Sequence, residues 1–493
     1  MNRKLLIGIL ALPVLALLFL GMCWVDGAVV RSRMARADNE MNTTLPFFTV
    51  SHRQVKSGLF SSTVEVTYEF SSKLLDGIAA ASASAKKTAL IANAPAAATP
   101  PQLTLRHHIT HGPMPGFAAL GMARIDTEIV IPDEARAKLR ESIGTDQPLK
   151  IVTLLGYTGG GTTTVESPAF TYNATGEAGR VDWHGIQGHV NFSRGMNSSD
   201  GEITFLGMSA SGSKQEIAAM GPIRLAFDLK RVFKVLYTGK MSFTMERLAV
   251  TSPLQANSSV EMNGLRYDIE TSAAGDFIDT VAKIGLDSVS ALTFKASDIH
   301  YDFSLRHLHG PTYAELTEKL REAYAATING DMKDPSKLLE PFKQYGAVLL
   351  EQNPEFVIDR IGVKMPEGAA QISGKVSLPG FVRSDLEASP LALLAKLDAR
   401  VDFAVDEGLL NRNWSAPTPA VAASTEADPD AASPVATEPA APSRLQAMQS
   451  QMALFEQQGY VVRQGSKLSS HIEFRKGALT VNGKPMGPGA GAR

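Results

Sequence analysis

The chain has 493 residues, with 48 Lys and Arg against 50 Asp and Glu for a formal net charge of −2, and is long enough for two or three domains. That balance excludes a global field that recruits nucleic acid, so no nucleic-acid partner is expected. The single cysteine, Cys23, excludes an intrachain disulfide and a thiolate metal site.

Leu5 to Val25 is an uninterrupted apolar run without a charge, close to the roughly 20 residues a helix needs to cross a bilayer core. Arg3 and Lys4 precede it. A cleaved signal peptide starts the same way, but its apolar stretch is shorter and ends in small residues, whereas Val25-Asp26-Gly27 is a poor cleavage site. Pro13 is tolerated in a membrane helix. The expectation is an uncleaved signal anchor, with Cys23 as a membrane-embedded thiol. Arg31, Arg33 and Arg36 beyond the run oppose Arg3 and Lys4, so flanking charge leaves the orientation undecided.

Thr63–Phe70 alternates Val64, Val66, Tyr68 and Phe70 with Thr and Glu, the period of a half-buried strand. Ile78 to Pro101 is alanine-rich, ends in prolines and is expected as an exposed loop. Strands are then predicted over Ala123–Ile131, Leu149–Leu155, Thr162–Tyr172, Gly188–Ser193, Ile203–Ser209, Ile223–Leu236, Met241–Val250, Met262–Thr271 and Phe294–Leu308. This strand–turn rhythm implies extended antiparallel sheet. Near 312 the pattern changes. Thr312 and Glu315 have capping-box spacing, Leu316, Leu320, Ala323 and Tyr324 form a helical stripe, and Asp334-Pro335 opens a second helix carrying Leu349. Strand spacing returns at Ile361–Met365, turns at Pro366–Gly368, and recurs at Ile372–Leu378 and Val401–Val405, with a short helix after Ser389-Pro390. Ser415–Ser443 is rich in Ala, Pro, Ser and Thr and reads as a disordered linker. A helix through Leu445–Phe455 follows, then Ser470–Phe474 and Ala478–Val481, with turns at Lys476-Gly477 and Asn482-Gly483.

Catalytic signatures are scarce. His107, His108 and His111 spell H-H-x-x-H, but on a strand His107 and His111 share a face about 13 Å apart, too far for one metal. A structural role is expected, and no metal or other cofactor. The segment Leu105–His107 with His111-Gly112-Pro113 recurs as Leu305–His307 with His309-Gly310-Pro311. Each copy closes a strand with a Gly-Pro break, which suggests a duplicated strand-and-turn unit. Gly156–Gly161 lacks the lysine of a phosphate-binding loop and reads as a hairpin turn. Ser84-x-x-Lys87 and Ser211-x-x-Lys214 lack the companion elements of penicillin-recognising enzymes.

The tracts KSGLFSS at 56–62, LRHHITHGPMP at 105–115, NPEFVI at 353–358 and LTVNGK at 479–484, following the N-terminal anchor, resemble the YdgA/YihF-type bacterial family of unknown function. The resemblance runs from the anchor to about residue 485. It implies a Gram-negative inner-membrane protein, single-pass, with its bulk in the periplasm, and it brings no activity or catalytic residue.

The expected architecture is therefore β-rich α+β: extended, twisted antiparallel sheet with a few packed helices, plus one N-terminal transmembrane helix. The expected division is an anchor at 1–30, a β-rich region at 31–311, a helix-containing α+β region at 312–414, the linker at 415–443 and a C-terminal helix and hairpin at 444–493. The expected function is non-enzymatic, a lipid or other envelope component bound in an apolar groove. A structural or assembly factor binding envelope proteins comes second, and an enzyme acting on envelope polymers third. The oligomeric state is not legible.

Overall fold

The computed structural model describes residues 19–36, 38, 48–70, 102–117, 120–173, 179–212, 216–251, 259–291, 294–329, 339–385, 390–411 and 444–486. One antiparallel sheet organises them. Its strands are β1 (Phe48–Ser57), β2 (Ser61–Phe70), β3 (Gln102–His111), β4 (Ala123–Ile129), β5 (Lys150–Leu155), β6 (Gly161–Ser167), β7 (Phe170–Asn173) and β8 (Arg180–Trp183). They continue with β9 (Ile186–Phe192), β10 (Ser198–Phe205), β11 (Met208–Ser211), β12 (Glu216–Met220), β13 (Ile223–Val232), β14 (Leu236–Thr251), β15 (Ser259–Ala274) and β16 (Phe277–Ala291). The last are β17 (Phe294–His309), β18 (Glu355–Met365), β19 (Gly368–Ser377), β20 (Asp398–Asp406), β21 (Val462–Gln464), β22 (Lys467–Arg475), β23 (Ala478–Val481) and β24 (Lys484–Pro485).

The topology is a meander. β1 to β6 pair in sequence, β6 pairs with β9, β9 with β10, β10 with β13, and β13 to β20 again pair in sequence before β20 meets β22. A second rank, β7·β8·β11·β12·β14, continues these strands beyond a row of breaks. The breaks fall at Pro168, His184-Gly185, Leu206-Gly207 and Gly221-Pro222. Proline has no N–H to give a ladder, and Gly185 and Gly207 adopt φ of 108° and 114°, which favours glycine. His184 N donates to Gly207 O at 3.0 Å and Leu206 N to Gly185 O at 2.9 Å, so adjacent breaks satisfy one another. The strands predicted over Thr162–Tyr172, Ile203–Ser209 and Ile223–Leu236 are corrected accordingly. The first two are each split by a break, and the third ends at Val232.

Helices cover parts of one face. They are α1 (residues 19–36), α2 (Asp133–Ile143), α3 (Gly310–Asn329), α4 (Ala347–Glu351, entered through a π-turn at Phe342–Gly346), α5 (Pro390–Lys396), α6 (Glu407–Leu410) and α7 (Arg444–Gln458). Three buried clusters mark the cover. α1 lays Val30 on Val64, Val66, Ile109 and Ile125, α3 lays Leu316 on Ile278 and Leu308, and Leu409 of α6 packs with Val405, Leu468 and, from α7, Met452 and Phe455.

Among the described residues no helix is long and apolar enough to cross a membrane. Leu5 and Pro13 lie outside the described residues, as do the alanine-rich tract from Ile78 and the Ser415–Ser443 linker; Val25 lies on α1. The expectation for Cys23 is corrected. Its side chain is 1% exposed and packs on Gly112, because α1 runs past Val25 without a break and seats on the sheet. The β17–β18 pairing carries the ladder across residue 312. The capping box expected at Thr312 is replaced by a bond between Thr312 Oγ1 and His309 Nδ1 at 2.8 Å, inside a helix that begins at Gly310.

Candidate functional site

Directly opposed residues of an antiparallel pair project from the same face. Following the register across the sheet therefore assigns every side chain to a face. One such row runs Val64, His107, Thr127, Ile151 and Val165 from β2 to β6. It continues through Gly188, Ile203, Leu225, Phe243 and Tyr267 of β9 to β15. Ile284, Tyr301, Ile361, Ile372 and Phe403 extend it to β20. Strands lie about 4.8 Å apart, so this apolar face spans roughly 70 Å of ladder.

The second rank keeps the same face. Trp183 stands 5.0 Å from the ring of Phe205 and donates its indole N–H to Ser167 Oγ at 2.9 Å, and both partners belong to the first rank. The breaks reset the alternation, so that Trp183, Met208, Met220, Leu248 and Met262 prolong the apolar surface.

The opposite face is charged and cross-linked by ion pairs. Arg106 bridges Glu65 and Glu128 at 3.0 Å each, Arg224 meets Glu202 at 2.5 Å, Arg266 meets Asp287 at 2.7 Å, and Lys375 meets Glu355 at 2.8 Å. Asp298 accepts from Arg360 and Lys364 at 2.9 Å and from His300 at 2.8 Å, which holds its carboxyl far below the usual range. A hollow lies on this charged face, between Asp228, Lys240, Asp268, Glu270 and Lys283. Lys240 and Glu270 pair across it at 3.3 Å, and Asp228 and Asp268 stand opposite Lys240 and Lys283 in the ladder. Over this stretch the hollow lies on the charged side and the apolar side is an open face.

Helices bury only parts of the apolar face. Ile203, Leu225, Phe243 and Tyr267 are half-buried and belong to none of the three buried clusters. Tyr301 and Phe356 are 47% and 44% exposed, and Ile284 and Ile372 are also open. Monomeric soluble proteins rarely expose contiguous apolar surface of this extent.

The histidine motifs sit at the margins of this face. His107 and His111 share the side covered by α1, as their spacing requires. His107 Nδ1 meets Thr127 Oγ1 at 2.8 Å, and burial, with Arg53 adding to it, pushes its pKa down to about 4. His111 Nε2 and Ser62 Oγ share a hydrogen bond of 3.2 Å, and Arg31 of α1 donates to the same Oγ at 2.8 Å. Gly27 of α1 lies flat on the His111 ring, where a Cβ would come within 2.6 Å, and Asp26 accepts from Tyr157 OH at 3.0 Å. The tracts KSGLFSS and LRHHITHGPMP therefore meet at one place, beneath α1, where Phe60 O also accepts from His111 N at 2.9 Å. Ser62 and His111 are each 3% exposed, which leaves a substrate no way in, so the cluster clamps a helix.

Gly112 adopts φ of 123° beneath Cys23, and Pro113 leads into the turn at Pro115–Phe117. The second copy lies far along the ladder. His307 (φ 57°) stacks on Phe277 at 3.9 Å, and Gly310-Pro311 opens α3 under the Phe233 ring. The two copies end different strands and do not meet. Gly156–Gly161 is a hairpin turn, closed by Gly156 N to Gly160 O at 2.8 Å. No local pattern points to the Arg31–Ser62–His111 clamp; the one available signal is that Gly27 and Gly112 stand where bulkier residues would be ordinary.

No curated protein and no solved structure matches this chain. A family model described as bacterial protein of unknown function does match, over residues 1–488. With the tracts of its N-terminal part gathered beneath α1 and nearly the whole length covered, the chain belongs to that family, DUF945.

Proposed function

We propose that this protein is a non-enzymatic component of the bacterial envelope, tethered to the inner membrane by the segment that begins at Leu5, with its sheet in the periplasm and its apolar face carrying the acyl chains of a lipid. The observation behind this reading is the contrast between the two faces. The row through Phe243 and Tyr301 carries no ionisable group other than tyrosine from β9 to β20, while the reverse face carries a lattice of ion pairs. A surface that served only as a core would be covered along its length, and among the described residues three buried clusters mark the cover. An acyl chain matches a continuous apolar strip without polar anchors, because its burial yields about 0.8 kcal/mol per methylene and needs no hydrogen bond. Rotation of about 20° between neighbouring strands coils a sheet this wide and shields a bound chain along part of its path.

The test is photo-crosslinking in cells. Benzoylphenylalanine at Tyr267, on the apolar face, is compared with the same group at Asp268, one residue away on the charged face. A lipid-mass adduct at 267 and none at 268 supports the reading. No lipid adduct at 267, or equal adducts at both, removes it.

A further inference from the structure

We infer that the loop tips around the start of α1 form a membrane-contact surface, seated in the interfacial layer of the phospholipid bilayer from which the tether emerges. This rests on the tether reading and extends it from the helix to the sheet.

Three observations carry it. The first is the absence of a spacer. The apolar run reaches Val25, yet Cys23 is already buried on Gly112 and Asp26 is already bonded to Tyr157. The apolar segment and the sheet share residues, so the sheet end at Gly112 lies at the depth where the run leaves the hydrocarbon.

The second is topology. In the meander, the β1–β2 turn, the β3–β4 connection and the β5–β6 turn all lie at this end. They are tied together by Phe60 O accepting from His111 N, and by Met122 N donating to Leu155 O at 2.7 Å.

The third is what these tips expose. Leu120 is 83% exposed and Trp24 64%, and Phe60 and Met114 are also open to solvent. These side chains project from α1 itself and from two separate connections beside it, β1–β2 and β3–β4. Tryptophan, phenylalanine and leucine at the end of a membrane helix are the residues that settle at the headgroup level. Lys56, exposed near the β1–β2 turn, suits the phosphates there.

The experiment uses the full chain reconstituted in vesicles of phosphatidylethanolamine and phosphatidylglycerol. In a Cys23→Ala background, free of other thiols, a bimane label is placed at Leu120→Cys, and in a second protein at Val462→Cys, exposed on β21 at the opposite end of the ladder. Lipid-borne doxyl quencher is expected to lower the emission at 120 at least twofold more than at 462, with iodide showing the reverse order. Equal quenching by iodide at both sites, in protein retained after a carbonate wash, overturns the inference and leaves the tether standing. Release by carbonate overturns both. Failure of the crosslink at Tyr267 touches neither result, so the lipid-carrying reading is judged separately.

Discussion

Gly112→Ala offers a sharp test of how α1 is held. Gly112 has φ of 123°, a region that costs a non-glycine residue about 1–3 kcal/mol. A methyl there also overlaps Cys23 Sγ, and forcing an extra carbon into a packed site costs about 1–3 kcal/mol more. The combined penalty is about 2–6 kcal/mol, and it is relieved most directly by lifting α1 off β3. Because Cys23 is the only cysteine and is buried, maleimide labelling reports that lifting without interference. At about 1.4 kcal/mol per tenfold, the labelling rate should rise between about 30-fold and about 20,000-fold. Gly275→Ala is the control, since Gly275 has φ of 61° with nothing within 4 Å of a new Cβ. It carries the backbone strain alone and should leave Cys23 protected. Labelling of Gly112→Ala at the wild-type rate would refute the packing described for α1.

Four more outcomes follow from the same geometry. Removing residues 1–18 should leave the thermal midpoint of the remaining chain unchanged. Removing 1–30 also deletes Cys23 and Val30 from the core and should lower it by several degrees or more; equal midpoints would contradict the seat of α1 on the sheet. Ile109→Ala, at a site 1% exposed, should cost about 2–5 kcal/mol in urea unfolding, whereas its neighbour Thr110→Ala, on the other face, should cost under about 0.5 kcal/mol. Stability should fall with acid between pH 6.5 and pH 4. The folded His107 titrates near 4 and the unfolded one near 6.5, so in that window the unfolded chain binds the extra proton; the full shift amounts to about 3 kcal/mol, and His107→Gln should flatten the slope. His111, also lowered by burial, contributes in the same direction, and an unchanged slope in His107→Gln would contradict the burial of that ring.

Much of the sheet was legible because its signals are local. Val64, Val66 and Tyr68 alternate with polar residues, and the structure places all three in the core beneath α1. Asn482-Gly483 and Lys476-Gly477 read as turns, and all four residues have positive φ, as two-residue hairpins require. Strand β16 was missed. Its inner Ile278, Thr280, Ala282 and Ile284 alternate, but Val281 faces outward and the pairing with β17 slips between Ile278 and Thr280, which blurs the period. The breaks carried proline and glycine signals that a repeated apolar pattern overrode, because the alternation resumes beyond each break in the opposite parity.

What the sequence could not show was who faces whom. That His107 and His111 share a face follows from a period of two. That Thr127, Ser62 and Arg31 complete their surroundings depends on register and helix docking across 20, 49 and 80 residues respectively. Likewise the apolar run through Cys23 carried its membrane signal in composition, while the contact with Gly112 exists only once β3 and α1 are brought together. The uninterrupted apolar face is also a property of register. Each strand alone reads as half-buried, and only the pairing shows that all the apolar halves point the same way.

The account stands or falls most directly on the crosslink at Tyr267. With benzoylphenylalanine there in the full-length protein, irradiated cells should yield a protein–lipid adduct by mass spectrometry, and the Asp268 position should yield none. Protein recovered intact from both positions, with no added lipid mass, would contradict the claim that this face carries acyl chains.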